Sequence, residues 1–136
     1  MNYKTFTYLH SETIQYCQII ESDLKWLYSF LHVGDVYQTK DALDNITFGQ
    51  IVKKLKALDN SDGNPNLSAS DYNFLSQMAQ KRNYWCHECY IDFVYLDDWM
   101  YSAEFKRVCD RLQRDHDKLK IVYQNIENLK IKFNRN

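Results

Sequence analysis

The side chains best suited to acid-base chemistry lie between residues 81 and 90. Asn83 and His87 are four residues apart, so on a helix they are neighbours on one face, and Tyr90 follows on the same stripe. Arg82 precedes His87 by five residues, about 140° around a helix, which a long flexible side chain can partly bridge. An imidazole can transfer protons near neutral pH, and a guanidinium can hold a phosphate with two hydrogen bonds. These residue types therefore suit metal-free cleavage of a phosphodiester.

Cys86 and Cys89 raise a second hypothesis for the same stretch, metal or redox chemistry. A structural zinc site needs four ligands, and the other cysteines, Cys17 and Cys109, are single residues on predicted apolar faces. A redox C-x-x-C pair is expected at the start of a helix that follows a strand, whereas this pair falls deep inside a predicted helix. We therefore predict reduced thiols, no metal ion and no cofactor.

The composition predicts one helical domain over residues 1–136. The chain is 45% hydrophobic and 26% charged, and it holds only three Gly and one Pro, too few for the corners of a β fold. No long apolar run and no leader-like N-terminus is present, which predicts a cytoplasmic protein without a membrane segment. The formal net charge of −1 gives no global attraction to nucleic acid, so any RNA contact is expected to be local.

Apolar residues at spacings of three and four predict the helices of the first half. The first helix runs from about residue 5 to residue 32, and residues 35–45 are polar with no regular pattern. Thr47 is a candidate N-cap for a short second helix over residues 48–58. Residues 59–68 contain Gly, Pro, Asn, Asp and Ser and predict a loop.

The second half predicts two longer helices. Ser68 or Ser70 caps a third helix that is expected to run into the low nineties, and residues 92–102 have no clean period and predict a bend. The last helix extends from about Phe105 to Phe133. Long amphipathic helices joined by short loops predict an all-α fold, an up-and-down bundle of four to five helices.

The segment Arg82-Asn83-x-x-x-His87 resembles the R-x4-6-H motif of HEPN-domain proteins, including the polar residue that often follows the Arg. Its surroundings agree, with a short helix ending in lysines, a polar loop, a helix leading to the motif and a long last helix. The resemblance covers roughly residues 47–133 and, more loosely, the first helix. It implies an α-helical bundle that homodimerises. In active family members it also implies a metal-independent endoribonuclease with toxin, antiphage or RNA-processing roles.

By this resemblance Arg82 and His87 would be catalytic and Asn83 would support them. We add Lys81 and Tyr90, at the two ends of the stretch, as residues that would bind substrate. His87 would act as base on a ribose 2′-hydroxyl or as acid on the leaving oxygen, while Arg82 would hold the phosphate. The 2′-hydroxyl nucleophile makes RNA the substrate. Because each chain offers one such imidazole, the site would be shared by the two copies of a homodimer.

In one toxin branch of the family, a Tyr two residues after the His is the target of nucleotidyl transfer by an antitoxin. This chain has Cys89 at that spacing and Tyr90 one residue later. We therefore do not carry that regulation over, and a cognate antitoxin stays among the candidate partners.

The alternative function is a non-catalytic helical dimer that regulates or binds a partner, which the near-neutral charge mildly favours. Four aromatic residues near the motif are candidates for a dimer interface that includes the third helix and buries at least about 1,200 Å², or else for the core: Tyr84, Trp85, Tyr90 and Trp99. His116, within an Arg-Asp-His-Asp run, is expected on a solvated face of the last helix.

Overall fold

The computed structural model describes residues 1–134 and consists of helices joined by short connections. Five α-helices occur in this range: α1 Tyr3–Leu31, α2 Val36–Ala42, α3 Phe48–Asp59, α4 Ala69–His87 and α5 Ala103–Asn134. Two 3₁₀ helices span Cys89–Asp92 and Trp99–Tyr101, and residues 1–134 contain no strand. The prediction of an all-α helical bundle is confirmed. The last two residues of the predicted domain, 135 and 136, lie outside the described residues.

The two longest helices, α1 and α5, pack against each other and form the spine of the bundle. α3 packs on α1 and α4, α4 also contacts α1, and the short α2 lies against α1. Buried apolar side chains from all the longer helices fill one continuous core, with Ile20, Leu24, Leu75 and Leu119 fully enclosed. None of the helices within residues 1–134 is both long enough and apolar enough to cross a membrane.

Two predicted N-caps are present and fix where α3 and α4 begin. The Thr47 hydroxyl accepts a hydrogen bond from the Gln50 amide at 3.2 Å, and the Gln50 side chain accepts from the Thr47 amide at 2.8 Å, which completes a capping box. Of the two serines considered for α4, Ser68 is the cap, since its hydroxyl accepts from the Asp71 amide at 3.0 Å. These local bonds satisfy amides that a helix leaves unpaired at its start.

The chain departs from the prediction in two places. Residues 35–45 contain the helix α2, which begins at an Asp35 cap and buries none of its side chains, so no apolar stripe marks it in the sequence. α4 ends at His87 rather than in the low nineties. After Glu88 the chain tightens into a 3₁₀ helix and turns, which brings Cys89 and Phe93 into the core.

The prediction that His116 lies on a solvated face is wrong, because its side chain is buried between α1 and α5. Its Nε2 lies 2.7 Å from a Glu12 carboxylate oxygen, and its Nδ1 lies 3.1 Å from Asp117. Carboxylates only accept hydrogen bonds, so a ring protonated on both nitrogens satisfies both contacts. The bond from His116 lowers the pKa of Glu12, with help from Tyr8. His116 therefore joins the two central helices.

The four aromatic residues near the motif pack within the chain. Trp85 is fully buried, and Trp99 packs edge-on against Phe105 with ring centres 5.3 Å apart. Tyr84 and Tyr90 are half-buried against the same core. Trp85 therefore serves the core, while an interface role for the three partly buried rings stays a prediction.

Candidate functional site

Three contacts anchor the C-terminal half of α4, where the motif lies. The Trp85 indole donates a hydrogen bond to the buried carboxylate of Asp115 at 2.9 Å, and the Lys81 amine reaches the other oxygen of that carboxylate at 3.0 Å. On the opposite side, the His10 ring donates to the Trp85 carbonyl at 2.6 Å. Helices α1 and α5 thus hold this part of α4 in a fixed position.

Arg82 turns toward α1 and α3. Its guanidinium lies 3.1 Å from a Glu21 carboxylate oxygen and 5.9 Å from the centre of the Phe48 ring. About a third of the side chain, 32%, stays accessible to solvent. Only one of the five N–H donors is used by this ion pair, so the others can still bind a phosphate.

His87 is the last residue of α4, and its side chain is exposed. Within residues 1–134 its ring takes part in no hydrogen bond and no ion pair, in contrast to the rings of His10 and His116. Asn83, one turn earlier, is also exposed on this face. The structure therefore leaves one imidazole and one amide free on the outer side of α4.

The motif residues do not meet within one chain. Five residues of helix turn the chain by about 140°, so Arg82 faces the α1 and α3 side while His87 faces outward. Among the described residues, no hydrogen bond links the two side chains, and Arg82 is bound to Glu21 instead. A phosphate held by Arg82 would therefore need its acid-base group from elsewhere.

The two residues predicted to bind substrate have contacts inside the fold. Lys81 is paired with the buried Asp115. The Tyr90 ring packs edge-on against Phe6 at 5.7 Å and against His10 at 5.4 Å between ring centres. Both side chains thus help to hold α4 and the turn after it.

Three of the four cysteines are buried, and burial suppresses thiol reactivity. Burial raises the pKa of Cys17 to about 12 and that of Cys89 to about 11, so both thiols stay protonated at neutral pH. Cys109 is also buried, whereas Cys86 is exposed. Within residues 1–134, no three side chains of His, Cys, Asp or Glu are grouped closely enough to hold a metal ion.

Sequence reasoning missed a groove beside Tyr84 that three arginines of α5 line. Arg107, Arg111 and Arg114 fall at spacings of four and three on one face of the helix, and the groove has a volume of about 470 Å³. The Arg111 guanidinium stacks 4.1 Å from the centre of the Tyr84 ring. Three acidic residues, Asp92, Glu104 and Asp110, line the same groove, and the Tyr84 hydroxyl donates to Asp92 at 2.6 Å. The helical spacing of the three arginines could have predicted that they share one face of α5.

The segment after α4 exposes a cluster of large apolar side chains. Tyr101 is 90% exposed and Tyr95 83% exposed, and four neighbouring apolar side chains are exposed to a lesser degree, between 39% and 60%: Ile91, Val94, Leu96 and Met100. We call residues 91–101 the exposed apolar segment. In the sequence, this stretch has no helical period, which predicted a bend there and was the only signal that these side chains leave the core pattern.

Comparison of the chain with protein-family models, with curated proteins and with solved structures gives no match. The resemblance to HEPN proteins therefore stays a prediction that rests on the motif and its surroundings.

Proposed function

We propose that the protein is a metal-independent endoribonuclease of the HEPN type whose active site forms between two copies of the chain. The observation that supports this is the state of His87, an exposed imidazole without a partner in residues 1–134 at the end of an anchored helix. A general acid or base must exchange protons with substrate and solvent, which such a ring can do. A cytoplasmic toxin or antiphage role, with a cognate antitoxin, belongs to the same proposal.

In the proposed reaction, His87 takes the proton of a ribose 2′-hydroxyl, and the 2′-oxygen bonds to the adjacent phosphorus. The bond from phosphorus to the 5′-oxygen breaks, and that oxygen accepts a proton from His87 of the partner subunit. Arg82 binds the phosphate oxygens and stabilises the charge that develops on them. Asn83 contacts the RNA backbone beside His87. The products are a 2′,3′-cyclic phosphate and a free 5′-hydroxyl.

A second copy resolves the divergence of the two motif residues. Within one chain, Arg82 is bound to Glu21 and faces α1 and α3, whereas His87 is exposed at the end of α4. Across a two-fold axis, His87 of one copy can approach a phosphate held by the partner's Arg82. The ion pair with Glu21, 3.1 Å long, would fix the guanidinium in advance of substrate binding.

The direct test is cleavage of total RNA in EDTA by the wild type and by His87→Gln. We expect the variant to lose about 10²-fold or more of the activity, because it lacks the proton-transfer group. His32→Gln is the matched control, since His32 is also exposed at the end of a helix but lies at the end of α1. Equal cleavage by the His87 and His32 variants would overturn the proposal, as would an inactive wild type free of any bound protein.

Arg82 is tested by the pair Arg82→Lys and Arg82→Ala. Lys keeps the charge next to Glu21 but cannot form a two-pronged contact with phosphate, so we expect it to be folded and to cleave at least tenfold more slowly. Ala leaves Glu21 without its partner, so thermal melting must accompany its assay. Full activity of a folded Arg82→Ala would exclude the role given to this residue.

The exposed apolar segment favours a second candidate function, a helical module that binds a partner without catalysis. Contiguous exposed apolar side chains are typical of interaction sites. This function predicts that His87→Gln has no effect on any activity, while Tyr95→Ser and Tyr101→Ser remove binding. The RNA assay above separates the two functions.

A further inference from the structure

A cavity of about 600 Å³ opens where the C-terminal ends of α1 and α5 meet α2. α1 lines it with Trp26 and Phe30, α2 with Val36 and Tyr37, and the last turn of α5 with Phe133. We call it the aromatic cavity. Its volume falls in the range of roughly 300–1,000 Å³ that is typical of sites for small molecules.

The aromatic cavity is separate from the end of α4 that carries His87. His10 of α1 contacts that end through the Trp85 carbonyl. Trp26 comes 16 residues later, which is about 24 Å further along α1. Within residues 1–134, the side chains that line the cavity belong to α1, α2 and α5 and not to α4.

The aromatic rings in the wall are accessible to a ligand. The rings of Trp26 and Phe30 lie one turn apart on α1, with centres 6.1 Å apart and planes inclined by 26°. Tyr37 meets Trp26 edge-on with ring centres 6.1 Å apart, and it is 72% exposed. Trp26 and Phe30 are themselves only half-buried. A planar aromatic ligand can therefore stack on or meet the edges of these rings.

The helix α2 gains most from an occupant of the cavity. It buries none of its side chains, and at seven residues it is too short to be stable without packing. Its apolar side chains Val36 and Tyr37 both line the cavity. A ligand in the cavity would give α2 the apolar contacts that the chain itself does not supply.

Two polar side chains of α5 in the wall specify which atoms the ligand must carry. The Lys130 amine lies 2.8 Å from Asp23 and 3.2 Å from Glu127. An ammonium group has three N–H donors, so one is left after these two contacts. The Asn134 amide also lines the cavity and can both donate and accept. A ligand that fits needs a hydrogen-bond acceptor, such as a carbonyl oxygen, to meet the Lys130 amine.

The charges around the cavity favour a neutral ligand. The carboxylates of Asp23 and Glu127 contact Lys130, and a second amine, that of Lys132, lies 5.5 Å from the centre of the Phe133 ring. Two carboxylates and two ammonium groups balance, so the cavity attracts neither an anion nor a cation. Moving a charged group from water to a place among aromatic rings is costly when no opposite charge is left to pair with it.

We propose that the aromatic cavity binds a neutral aromatic small molecule that carries a carbonyl-type acceptor. Its ring would pack against Trp26, Phe30 and Tyr37, and its acceptor would receive a hydrogen bond from Lys130. This binding site goes beyond the proposed ribonuclease and does not depend on it.

The experiment compares three probes that share one ring system and differ in charge: 2-naphthamide, 2-naphthoate and 2-naphthylmethylammonium. Each is titrated into isotopically labelled full-length protein, and NMR follows the backbone amide signals. We expect the neutral amide to bind with a sub-millimolar Kd and to shift the signals of residues 26–40 and 130–134. We expect both charged probes to bind at least about tenfold more weakly.

Two pairs of variants test the wall of the cavity with the neutral probe. Tyr37→Ser should weaken binding at least about fivefold, whereas Tyr8→Ser, also exposed but near the start of α1, should not. Asp23→Asn is compared with Asp23→Asn combined with Lys130→Met, so that no Asp23 carboxylate is left without its cation. The double variant should bind at least about tenfold more weakly than Asp23→Asn alone, because it lacks the donor.

The outcomes are distinct from those of the RNA assay, because none of these measurements involves RNA. Unchanged signals at residues 26–40 and 130–134 with the neutral probe at its solubility limit would overturn the site. Equal binding of the three probes would overturn the choice of a neutral ligand. Full binding by Tyr37→Ser, or by the variant without Lys130, would overturn the contacts assigned to these residues. Each of these results would leave the ribonuclease proposal standing.

Discussion

Two histidines lie in opposite environments, one in the packed contact between α1 and α5, which we call the seam, and one at the C-terminal end of α4. In the seam, His116 is buried and both of its ring nitrogens meet carboxylates, of Glu12 and Asp117. At the end of α4, His87 is exposed and has no partner in residues 1–134. The first ring holds two helices together, whereas the second is accessible to groups outside the chain. Polar groups that the fold leaves unused are the ones to assign to function.

The largest expected effect concerns the polar anchor of α4. Asp115→Ala removes the acceptor of the Trp85 indole and the partner of Lys81, both of which are at least partly buried. We expect the free energy of unfolding to fall by about 3 kcal/mol, measured by urea denaturation. Asp110→Ala, an exposed position five residues earlier on α5, is the control and should cost less than about 1 kcal/mol. Similar losses for the two variants would break the distinction between seam and surface.

The next largest expected difference is between the stability losses caused by replacing His116 and His87 with Ala. His116→Ala should lower the free energy of unfolding by about 2 kcal/mol, because Glu12 loses its hydrogen-bond donor in a partly buried place. His87→Ala should change it by less than about 0.5 kcal/mol, since the exposed ring has no hydrogen bond or ion pair within residues 1–134 to lose. Thermal melting of the two variants side by side checks both values. A marked destabilisation by His87→Ala would show that the exposed ring has a structural role.

A smaller expected effect is a pH dependence of the free energy of unfolding, caused by Asp23 in α1. Burial, together with the neighbouring carboxyl of Glu127, raises the pKa of Asp23 to about 6. The Lys130 amine donates a hydrogen bond to one Asp23 oxygen at 2.8 Å. The other Asp23 oxygen is buried and has no hydrogen-bond partner among the described residues, which disfavours the charged carboxylate. The folded chain thus holds this proton more tightly than the unfolded chain does.

The sign of the effect follows from this raised pKa. The stability that the Asp23 proton contributes is present at low pH and is lost as the pH rises through about 6. We expect the wild type to lose roughly 1–2 kcal/mol relative to Asp23→Asn between pH 5 and pH 8, in chemical denaturation at both values. A difference between the two proteins that stays constant with pH would show that Asp23 is ionised throughout.

The comparison of the two regions also explains what the sequence could predict. The apolar stripes of α1, α3 and α5 and the caps at Thr47 and Ser68 are local signals, and they placed these helices to within about two residues. α2 was missed because it buries no side chain, so no stripe exists to be read. The early end of α4 depends on how Phe93 enters the core, which no local breaker residue announces.

The candidate site was only partly predictable for a related reason. The partner of His116 is Glu12, 104 residues earlier in the chain, and the partner of Arg82 is Glu21, 61 residues earlier. Such pairings depend on which helix faces come together, and helical spacing within one segment does not contain that information. The exposure of His87 and Asn83 was consistent with their shared stripe, whereas the inward turn of Arg82 was decided by α1.

The central claim is that His87 performs metal-free acid-base cleavage of RNA, and the chemistry of the new RNA ends tests it most directly. We predict that the wild type in EDTA produces 2′,3′-cyclic phosphate and free 5′-hydroxyl ends, and that His87→Gln produces neither above background. End-specific ligation and mass spectrometry of a defined oligonucleotide measure both ends. Ends carrying a 5′-phosphate, cleavage that EDTA abolishes, or cyclic ends made equally well by His87→Gln would contradict the account.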